Sequence, residues 1–410
     1  MILMKQNDIF KEITVLLPVD PNIQRVIDAK ISEPFNDTVL DFLDKVSKRL
    51  FKDNDAKSFP DIITLAFWIR KSNLTKLKKD YLMKKGISTM IGRGIVYHIT
   101  PSNVAVNFMY SLISSMLAGN KNIVKLAPKN HAQEHILINA IHNALEYPEF
   151  SEIKKGLLII KYGINKDMTD YFSSLCDVRI IWGGDATIAA IRQSPLPPRS
   201  TEILFADRYS FSVLDAQAIL DCEKLNELAL GFYNDTYLMD QNACSSPRLV
   251  VWRGDEATVR KVRDMFWNTL HRIVIDQYKL APIIAVDKYV QLCRDAIERK
   301  DIVLKTNSDN FIYRLEVRKL PADVESIRCA GGYFVEARVE SLSDMAYIVT
   351  KKYQTMAYYG FSKQELSDFV IKNNLRGIDR IVPVGNSLDF GLVWDGYDLI
   401  ANMSRECVII

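Results

Sequence analysis

The 410-residue sequence lacks the signatures of several common protein classes. Its 53 Lys and Arg residues nearly balance its 50 Asp and Glu residues, so the formal net charge is only +3. A charge this small and diffuse argues against a nucleic-acid binder, which needs a basic surface. The sequence also has no internal repeat, no P-loop and no complete G-x-G-x-x-G fingerprint after a strand. A nucleotide site, if present, must therefore use another motif.

Long hydrophobic runs and paired cysteines are missing too. The most apolar stretch, 104–118, is interrupted by Asn107 and serines and is shorter than the roughly 18 residues of a membrane span. The first residues carry acidic and amide side chains where a secretory signal needs an apolar core. The six cysteines lie far apart without a C-x-x-C pair. We therefore expect a cytoplasmic protein with reduced thiols, no membrane span and no nucleic-acid partner.

What the sequence does contain is an alternation of short apolar strands with helices. Residues 1 to about 90 are predicted to be mostly helical, and from residue 94 strands of four to seven residues alternate with helical stretches. This order predicts an α/β fold, a parallel sheet covered on both faces. The proline-rich stretch 195–198 is the strongest linker signal, and a second series of the same kind follows it. Two domains are therefore expected.

Three residues at the start of a predicted helix match a metal motif. His131, Glu134 and His135 fit the H-x-x-E-H pattern of inverted zinc peptidases, with both histidines on one helical face. No third ligand with an obvious spacing follows, and an exposed first turn in which Glu134 favours the helix dipole explains the residues better. We favour the turn and expect no metal site, and a zinc hydrolase is the alternative from another enzyme class.

Cys244 has a setting unlike the other five cysteines. It lies in a polar loop of small residues, 240–247, between a long predicted helix and an apolar strand. Loops held by rigid elements commonly carry catalysis. Cys222 and Cys293 fall in helical patterns, which favours a packing role. The pattern alone leaves Cys244 open as a nucleophile or as a small buried side chain.

Gly183 and Gly184 stand where a predicted strand ends and a helix begins. Helix N-termini bind phosphate through their free N–H groups, so the pair fits a nucleotide site. A plain tight turn fits equally well.

Five segments, in the order of a known family, carry a resemblance: GRGIVYHITPSNVAVN, LAGNKNIVKLAPKN, IIWGGDATIAAIR, MDQNACSSPRLVVW and DRIVPVGNSLDFGLVWDGYDLIANMSR. Spanning residues 92–404, they resemble the aldehyde dehydrogenase superfamily, and most of all its acyl-CoA reductase branch, the LuxC-type fatty acyl reductases. The resemblance implies two Rossmann-like, doubly wound domains facing each other across a cleft. Residues 1–203 would form the N-terminal helices and nucleotide-binding domain, with an oligomerisation ribbon near 81–93. Residues 204–385 would form the catalytic domain, and 386–410 a C-terminal segment with an oligomerisation strand.

The resemblance also implies roles for individual residues. Cys244 matches the nucleophile that accepts an acyl group, and Asn103, in a P-x-N motif, matches the donor to the oxyanion. A helix N-cap before Val104 is the other interpretation of Asn103. Because Pro128 and Lys129 stand where NAD enzymes often carry an acid, a 2′-phosphate is favoured and NADPH is the expected cofactor. The implied cofactor contacts are Thr100, Pro101, Lys125, Lys129, Gly183, Gly184 and Thr187.

Two departures from the family pattern bear on the reaction. The glutamate base of hydrolytic aldehyde dehydrogenases is missing in the register of residues 204–208, and the nearest acid is Glu202. The glutamate that holds the nicotinamide ribose has no clear match around 329–332, and Glu336 is an unaligned substitute. A missing base suits a thioester reductase, because such a base would hydrolyse the acyl-enzyme.

We therefore expect an oxidoreductase that uses NADPH to reduce an acyl-CoA or acyl-protein thioester to an aldehyde through a cysteine-bound acyl-enzyme. LuxC-type enzymes can take the acyl group from an acyl-protein synthetase, so such a partner belongs to the expectation. A hydrolytic NAD(P)-dependent aldehyde dehydrogenase is the alternative within the same fold.

The C-terminal residues 403–410 are predicted to form a strand without a local partner. Their β-branched end would be an aggregation-prone edge if left unpaired. Since the superfamily assembles through such a strand, we predict a homodimer or homotetramer in which it pairs with another subunit. A strand that folds back on its own domain is the alternative.

Overall fold

A computed structural model describes residues 10–85, 89–300, 302–306 and 309–409. The chain divides into two compact units. Unit 1 comprises Met1–Ala206 and Phe390–Ile410, and unit 2 comprises Asp207–Asp389. Unit 2 is therefore one continuous stretch inserted into unit 1.

The strands follow the alternation that the sequence predicts. In chain order they are β1 (Thr14–Leu17), β2 (Thr89–Gly92), β3 (Ile95–Ile99), β4 (Lys121–Leu126), β5 (Leu157–Lys161), β6 (Val178–Trp182), β7 (Thr201–Phe205), β8 (Tyr209–Asp215), β9 (Pro247–Arg253), β10 (Ile302–Thr306), β11 (Tyr313–Val317), β12 (Tyr333–Val339), β13 (Tyr353–Tyr359), β14 (Arg380–Pro383), β15 (Val393–Trp394), β16 (Tyr397–Asp398) and β17 (Ser404–Cys407).

The helices fill the connections between these strands. They are α1 (Ile23–Asp28), α2 (Asp37–Lys52), α3 (Pro60–Trp68), α4 (Lys71–Lys85), α5 (Asn107–Leu117), α6 (Ala132–Leu145), α7 (Ser151–Lys155), α8 (Lys166–Leu175), α9 (Asp185–Ile191), α10 (Ala216–Leu220), α11 (Leu225–Thr236), α12 (Glu256–Gln277), α13 (Pro282–Glu298), α14 (Lys363–Lys372) and α15 (Leu399–Met403). None of the described helices is both long and apolar enough to cross a bilayer.

The sheet of unit 1 has the strand order β1-β5-β4-β3-β6-β7. All neighbours pair in parallel except β1, which runs antiparallel to β5. The parallel strands are almost wholly buried, because helices cover both faces of the sheet. Since β3 lies between β4 and β6, its carboxyl end is the point where the strand order reverses, the usual place for a ligand in such sheets.

Gly119 follows the C-cap of α5, and it is a residue that cannot be replaced freely. Its φ is +88°, and a Cβ at this position would lie 2.0 Å from the carbonyl oxygen of Ser32. Only glycine combines that backbone conformation with so close an approach. The helix begins later than the apolar run suggests, at Asn107 rather than Val104.

The C-terminal segment returns to unit 1 and completes it. Trp394, Leu399, Ile400 and Met403 are buried in the same core as Trp68 of α3. The last strand, β17, pairs antiparallel with β2. The segment is therefore an integral part of this unit.

This pairing corrects the prediction that the terminal strand joins another subunit, since its partner is the strand 89–92 of the same chain. Along the edge that faces β2, the backbone groups of β17 are hydrogen-bonded within the same chain, and the short sequence of β2 did not reveal this pairing. The ribbon expected near 81–93 is also corrected in part: residues 81–85 belong to helix α4, and 86–88 lie outside the described residues.

The sheet of unit 2 has the order β10-β11-β12-β9-β8-β13-β14. Its neighbours pair in parallel except β10, which is antiparallel to β11. Separate apolar clusters lie on its two faces, so this sheet is also covered on both sides. The proline-rich stretch 195–198 does not separate the units, because β7 follows it and still belongs to the first sheet.

Candidate active site

The cofactor residues implied by the sequence lie at one edge of the sheet in unit 1. Thr100 follows β3, Lys125 is near the end of β4, and Gly183 follows β6. The carboxyl ends of these adjacent parallel strands share one edge, at the point where the strand order reverses. The structure thus brings three sequence-predicted residues together where such folds bind nucleotides.

Two of these residues are fixed by hydrogen bonds across the edge. The backbone N–H and the hydroxyl of Thr100 both donate to the carbonyl oxygen of Lys125, at 3.1 and 3.0 Å. The Lys125 ammonium lies 5.2 Å from the ring centre of Tyr162. Burial lowers its pKa, and no charged group of the described residues contributes to that shift. A half-buried cation without a carboxylate beside it suits a ribose hydroxyl or a phosphate.

The glycine turn after β6 leaves room for a ligand. Gly183 donates to the carbonyl oxygen of Phe205 at 3.1 Å, and Gly184 is the N-cap of α9. A Cβ on Gly184 would meet nothing within 4 Å, so its backbone faces open space. Thr187 and Lys129 are both exposed near this edge. The residues present therefore fit a nucleotide phosphate.

Asn103 lies in an exposed bend after Pro101, where its amide has no hydrogen bond within the described residues. Since α5 begins at Asn107 with Val106 in the cap position, the N-cap interpretation of Asn103 is wrong. Its amide is available as a donor to a ligand.

In unit 2, Cys244 lies in a turn three residues before β9. The preceding turn is tightly wound, with positive φ angles of 50° at Asp240 and 59° at Gln241. Tyr278 donates its hydroxyl to the Asp240 carboxylate at 2.6 Å, which anchors the start of the loop. This loop lies at the amino ends of the parallel strands. In such folds, ligands usually bind at the opposite edge, where the carboxyl ends of the strands lie.

The Gln241 side chain is the main support of this loop. It is fully buried, and its amide nitrogen donates to the carbonyl oxygens of Pro247 and Tyr333 at 2.9 and 3.1 Å. Its amide oxygen accepts from the N–H groups of Gly332 and Tyr333, both at 3.1 Å. Three of these hydrogen bonds join the Cys244 loop to the amino end of β12, and the fourth ties Gln241 to the start of β9.

Buried cations hold the neighbouring segment 329–332 in place. Arg248 donates to the carbonyl oxygens of Gln241 and Cys329. Lys288 of α13 is fully buried and donates to the carbonyl oxygens of Gly331 and Phe311. Burial lowers the pKa of Lys288 to about 8. These residues carry no motif in the sequence, and only the structure identifies them.

Cys244 itself is half-buried and lies between two strands. Its carbonyl oxygen accepts a hydrogen bond from the Ser210 hydroxyl of β8 at 2.6 Å. The buried Gln354 of β13 points its amide nitrogen at the sulfur, at 3.4 Å. A donor at this distance stabilises a thiolate, the form that acts as a nucleophile. Cys222 and Cys329 are half-buried as well, whereas Cys176 is buried. Cys293 is exposed on α13, so the packing role expected for it is wrong.

The acids in or near the register of the missing base, Glu202 and Asp207, are both bonded to arginine side chains. Glu202 accepts two hydrogen bonds from Arg179, at 2.6 and 3.0 Å, and one from Arg192 at 3.0 Å. Asp207 pairs with Arg328 at 2.7 Å.

Glu336 is fully buried beside Trp252 and Trp267, whose indole N–H groups donate to it at 2.9 and 2.7 Å. Burial raises its pKa, although the Arg314 and Arg263 guanidinium groups oppose this shift. A fully buried carboxylate that is bonded by two indoles is not exposed to a cofactor, which argues against Glu336 as the substitute considered above.

The zinc interpretation finds no support in the geometry. His131 precedes α6 as its N-cap residue and bonds the carbonyl oxygen of Ser102, so it does not share a helical face with His135. The Glu134 carboxylate pairs with Lys161 at 2.9 Å. Among the residues that the structure describes, no group of three or more His, Cys, Asp or Glu is placed to hold a metal ion.

Solved structures with a similar fold are aldehyde dehydrogenases. One is 1-pyrroline-5-carboxylate dehydrogenase from Thermus with bound NAD, 12% identical, with a TM-score of 0.61 over 91% of this chain and 81% of that chain. Another is aldehyde dehydrogenase 21 from Physcomitrella patens, 8% identical, with a TM-score of 0.63 over 91% of this chain and 85% of that chain. The predicted fold, of the aldehyde dehydrogenase type, is thereby confirmed.

Within that fold class, the chain belongs to the LuxC family of acyl-CoA reductases, whose model matches residues 74–406. A long-chain acyl-protein thioester reductase of Aliivibrio fischeri is 24% identical over 231 residues, which are 55% of this chain and 43% of that protein. The protein of the same name from Vibrio harveyi is 23% identical over 299 residues, 72% of this chain and 59% of that protein. The chain thus spans about half the length of these relatives.

Proposed function

We propose that this protein reduces an acyl thioester to an aldehyde, with Cys244 as the nucleophile that carries the acyl group. The observation that carries the proposal is the placement of Cys244, in a chain of the acyl-CoA reductase family. Its half-buried thiol has an amide donor beside it, on a loop that Gln241 locks to the neighbouring strand. A rigid loop that presents a polarised thiol is what nucleophilic catalysis requires.

In the first step the Cys244 thiolate attacks the carbonyl carbon of the thioester. A carbon–sulfur bond forms, the carbonyl electrons move to oxygen, and the tetrahedral centre then expels the donor thiolate, which takes up a proton. We assign the oxyanion to Asn103, whose amide is exposed, and to the backbone N–H of Cys244. Removing one such donor typically lowers the rate roughly 100- to 1000-fold. The product of this step is an acyl group on Cys244.

A bound nicotinamide cofactor would supply the hydride that reduces the acyl group to the aldehyde level, and Cys244 would then leave as the thiolate. We propose NADPH, held by Thr100, Pro101, Lys125, Lys129, Gly183, Gly184 and Thr187. Support comes from the uncompensated Lys125 cation, the open backbone at Gly184 and the absence of an acid between Lys125 and Lys129. A 2′-phosphate gains from two nearby cations, whereas a free ribose hydroxyl prefers a carboxylate.

Hydrolysis of the acyl-enzyme is the competing outcome that this site disfavours. A hydrolytic aldehyde dehydrogenase needs a carboxylate that accepts a proton from water. The candidate carboxylates Glu202, Asp207 and Glu336 are each bound by arginine or tryptophan donors. Acyl-CoA and acyl-protein donors both fit this chemistry. We propose an acyl-protein synthetase as a partner, because the relatives are named for acyl-protein substrates.

The experiment uses Cys244→Ser, with Cys293→Ser as the matched control. Incubation with radiolabelled acyl-CoA, without cofactor, should acylate the native protein and the control but not Cys244→Ser. With NADPH added, the native protein and the control should release aldehyde, and Cys244→Ser should lose at least about 100-fold in rate. Acylation of Cys244→Ser at the native rate would show that another residue is the nucleophile. Release of free acid in place of aldehyde would favour the hydrolytic enzyme.

A further inference from the structure

Helix α13 of unit 2 presents an apolar stripe to solvent. Ile283, Val286, Val290, Cys293 and Ile297 recur at alternating spacings of three and four residues. This spacing places side chains along one seam of a helix, as in coiled coils. The four aliphatic members are between 42% and 81% exposed, and Cys293 is exposed as well. The stripe is about 21 Å long at 1.5 Å per residue.

The opposite face of α13 is already used by its own unit. Lys288 and Asp295 are buried there, the first bound to Gly331 and the second accepting a hydrogen bond from Tyr333. The helix therefore cannot rotate to hide the stripe, because that would expose a buried charge.

The strand that follows α13 also offers an open edge. β10 is the first strand of its sheet and pairs only with β11 within the described part of the chain. Val303 and Leu304 of this strand are about two-fifths exposed. Soluble proteins usually cover an apolar edge of this kind.

Two charged residues beside the stripe indicate which partner binds there. Asp287 and Arg294 flank the stripe on the same side, seven residues apart. Both are exposed, and neither forms an ion pair with another described residue. A two-fold axis close to Val290 reverses the direction of a second helix and keeps the charged sides together. Asp287 of each copy then faces Arg294 of the other, while Ile283 lies opposite Ile297.

We propose that the stripe on α13 forms the docking surface for a second copy of this chain. The stripe is complementary to itself in shape, because its two ends are equivalent about Val290. It is also complementary to itself in charge, through two identical Asp287–Arg294 pairs. Two-fold symmetry closes the contact, so the assembly stops at a pair across this surface.

A charge-swap series with mass measurement by light scattering tests the proposal. Asp287→Arg alone and Arg294→Asp alone each place like charges opposite one another, and each should weaken the association about tenfold. The double variant Asp287→Arg with Arg294→Asp restores opposite charges and should recover the native mass. Only a contact between identical copies gives this pattern, since a different partner would not carry the compensating change.

Val290→Asp, near the axis, should weaken the association about a hundredfold, so the mass at a fixed micromolar concentration should fall by half. Ile371→Asp, at a more exposed apolar position on α14, is the control and should keep the native mass. A native protein that is monomeric at high concentration would overturn the proposal. So would single swaps that leave the mass unchanged, or a double swap that fails to restore it.

Discussion

His98 is a buried imidazole in the middle of the first sheet. Its Nδ1 bonds the Ser111 hydroxyl at 2.8 Å and its Nε2 bonds the Asn122 amide oxygen at 3.0 Å. Burial lowers its pKa from 6.5 to about 4, although the bond to Asn122 opposes the shift. The ring is therefore neutral in the folded protein at any pH above about 5.

This shift predicts a loss of stability in mild acid. Between pH 6.5 and 4 the unfolded chain binds a proton at His98 that the folded chain does not, so stability falls as pH falls. From neutral pH to pH 5 the expected cost is about 2 kcal/mol. Urea unfolding at pH 7.5 and 5.0 should show this difference in the native protein and a smaller one in His98→Gln. An equal pH dependence in both would contradict the assignment.

At the scale of single elements, backbone geometry at Gly119 controls the end of α5. Gly119→Ala forces a left-handed backbone on a residue with a Cβ, at a cost of roughly 1–2 kcal/mol, and adds a clash with Ser32. Gly163→Ala is the matched control, because a Cβ there would meet nothing within 4 Å. Thermal unfolding should show a clear loss of stability for Gly119→Ala and almost none for Gly163→Ala. Equal melting temperatures would mean that the turn relaxes.

The sequence predicts which helices and strands form better than it predicts where they begin and end or which strands pair. The end of α5 was predictable because Gly119 is a local signal, whereas its start was not, because Val104 and Val106 are apolar in a helix and in a buried turn alike. Cys244 stood out through the small polar residues around it. Gln241 and Gln354 did not, since nothing local distinguishes a buried, fully bonded glutamine from an exposed one. The prediction of the partner of β17 was wrong for the same reason, because the strand with which it pairs is more than 300 residues away in the sequence.

At the scale of the whole molecule, the insertion of unit 2 makes the core of unit 1 depend on distant residues. A chain that stops at Asp389 lacks Trp394, Leu399, Ile400 and Met403, which are buried in that core. Losing four buried apolar side chains costs on the order of 10 kcal/mol, comparable to the whole stability of a domain. Hydrogen exchange should then show lost protection in unit 1.

Unit 2 contains its own two apolar clusters, so its sheet should keep protection in the same truncated chain. Removal of residues 408–410, which follow β17, is the control and should leave both units protected. Retained protection in unit 1 after truncation at Asp389 would contradict the role given to the C-terminal segment.

The nested arrangement also has a consequence for biosynthesis. A ribosome delivers residues 207–389 as one uninterrupted stretch, so unit 2 has its whole sequence before Trp394 or Met403 has been made. Unit 1 is begun before unit 2, yet the apolar surface that these two residues cover stays open until the ribosome has passed residue 403. Such surface on a nascent chain is what chaperones bind. The unit synthesised first is therefore the last to be completed, and it is the one that needs protection while translation continues.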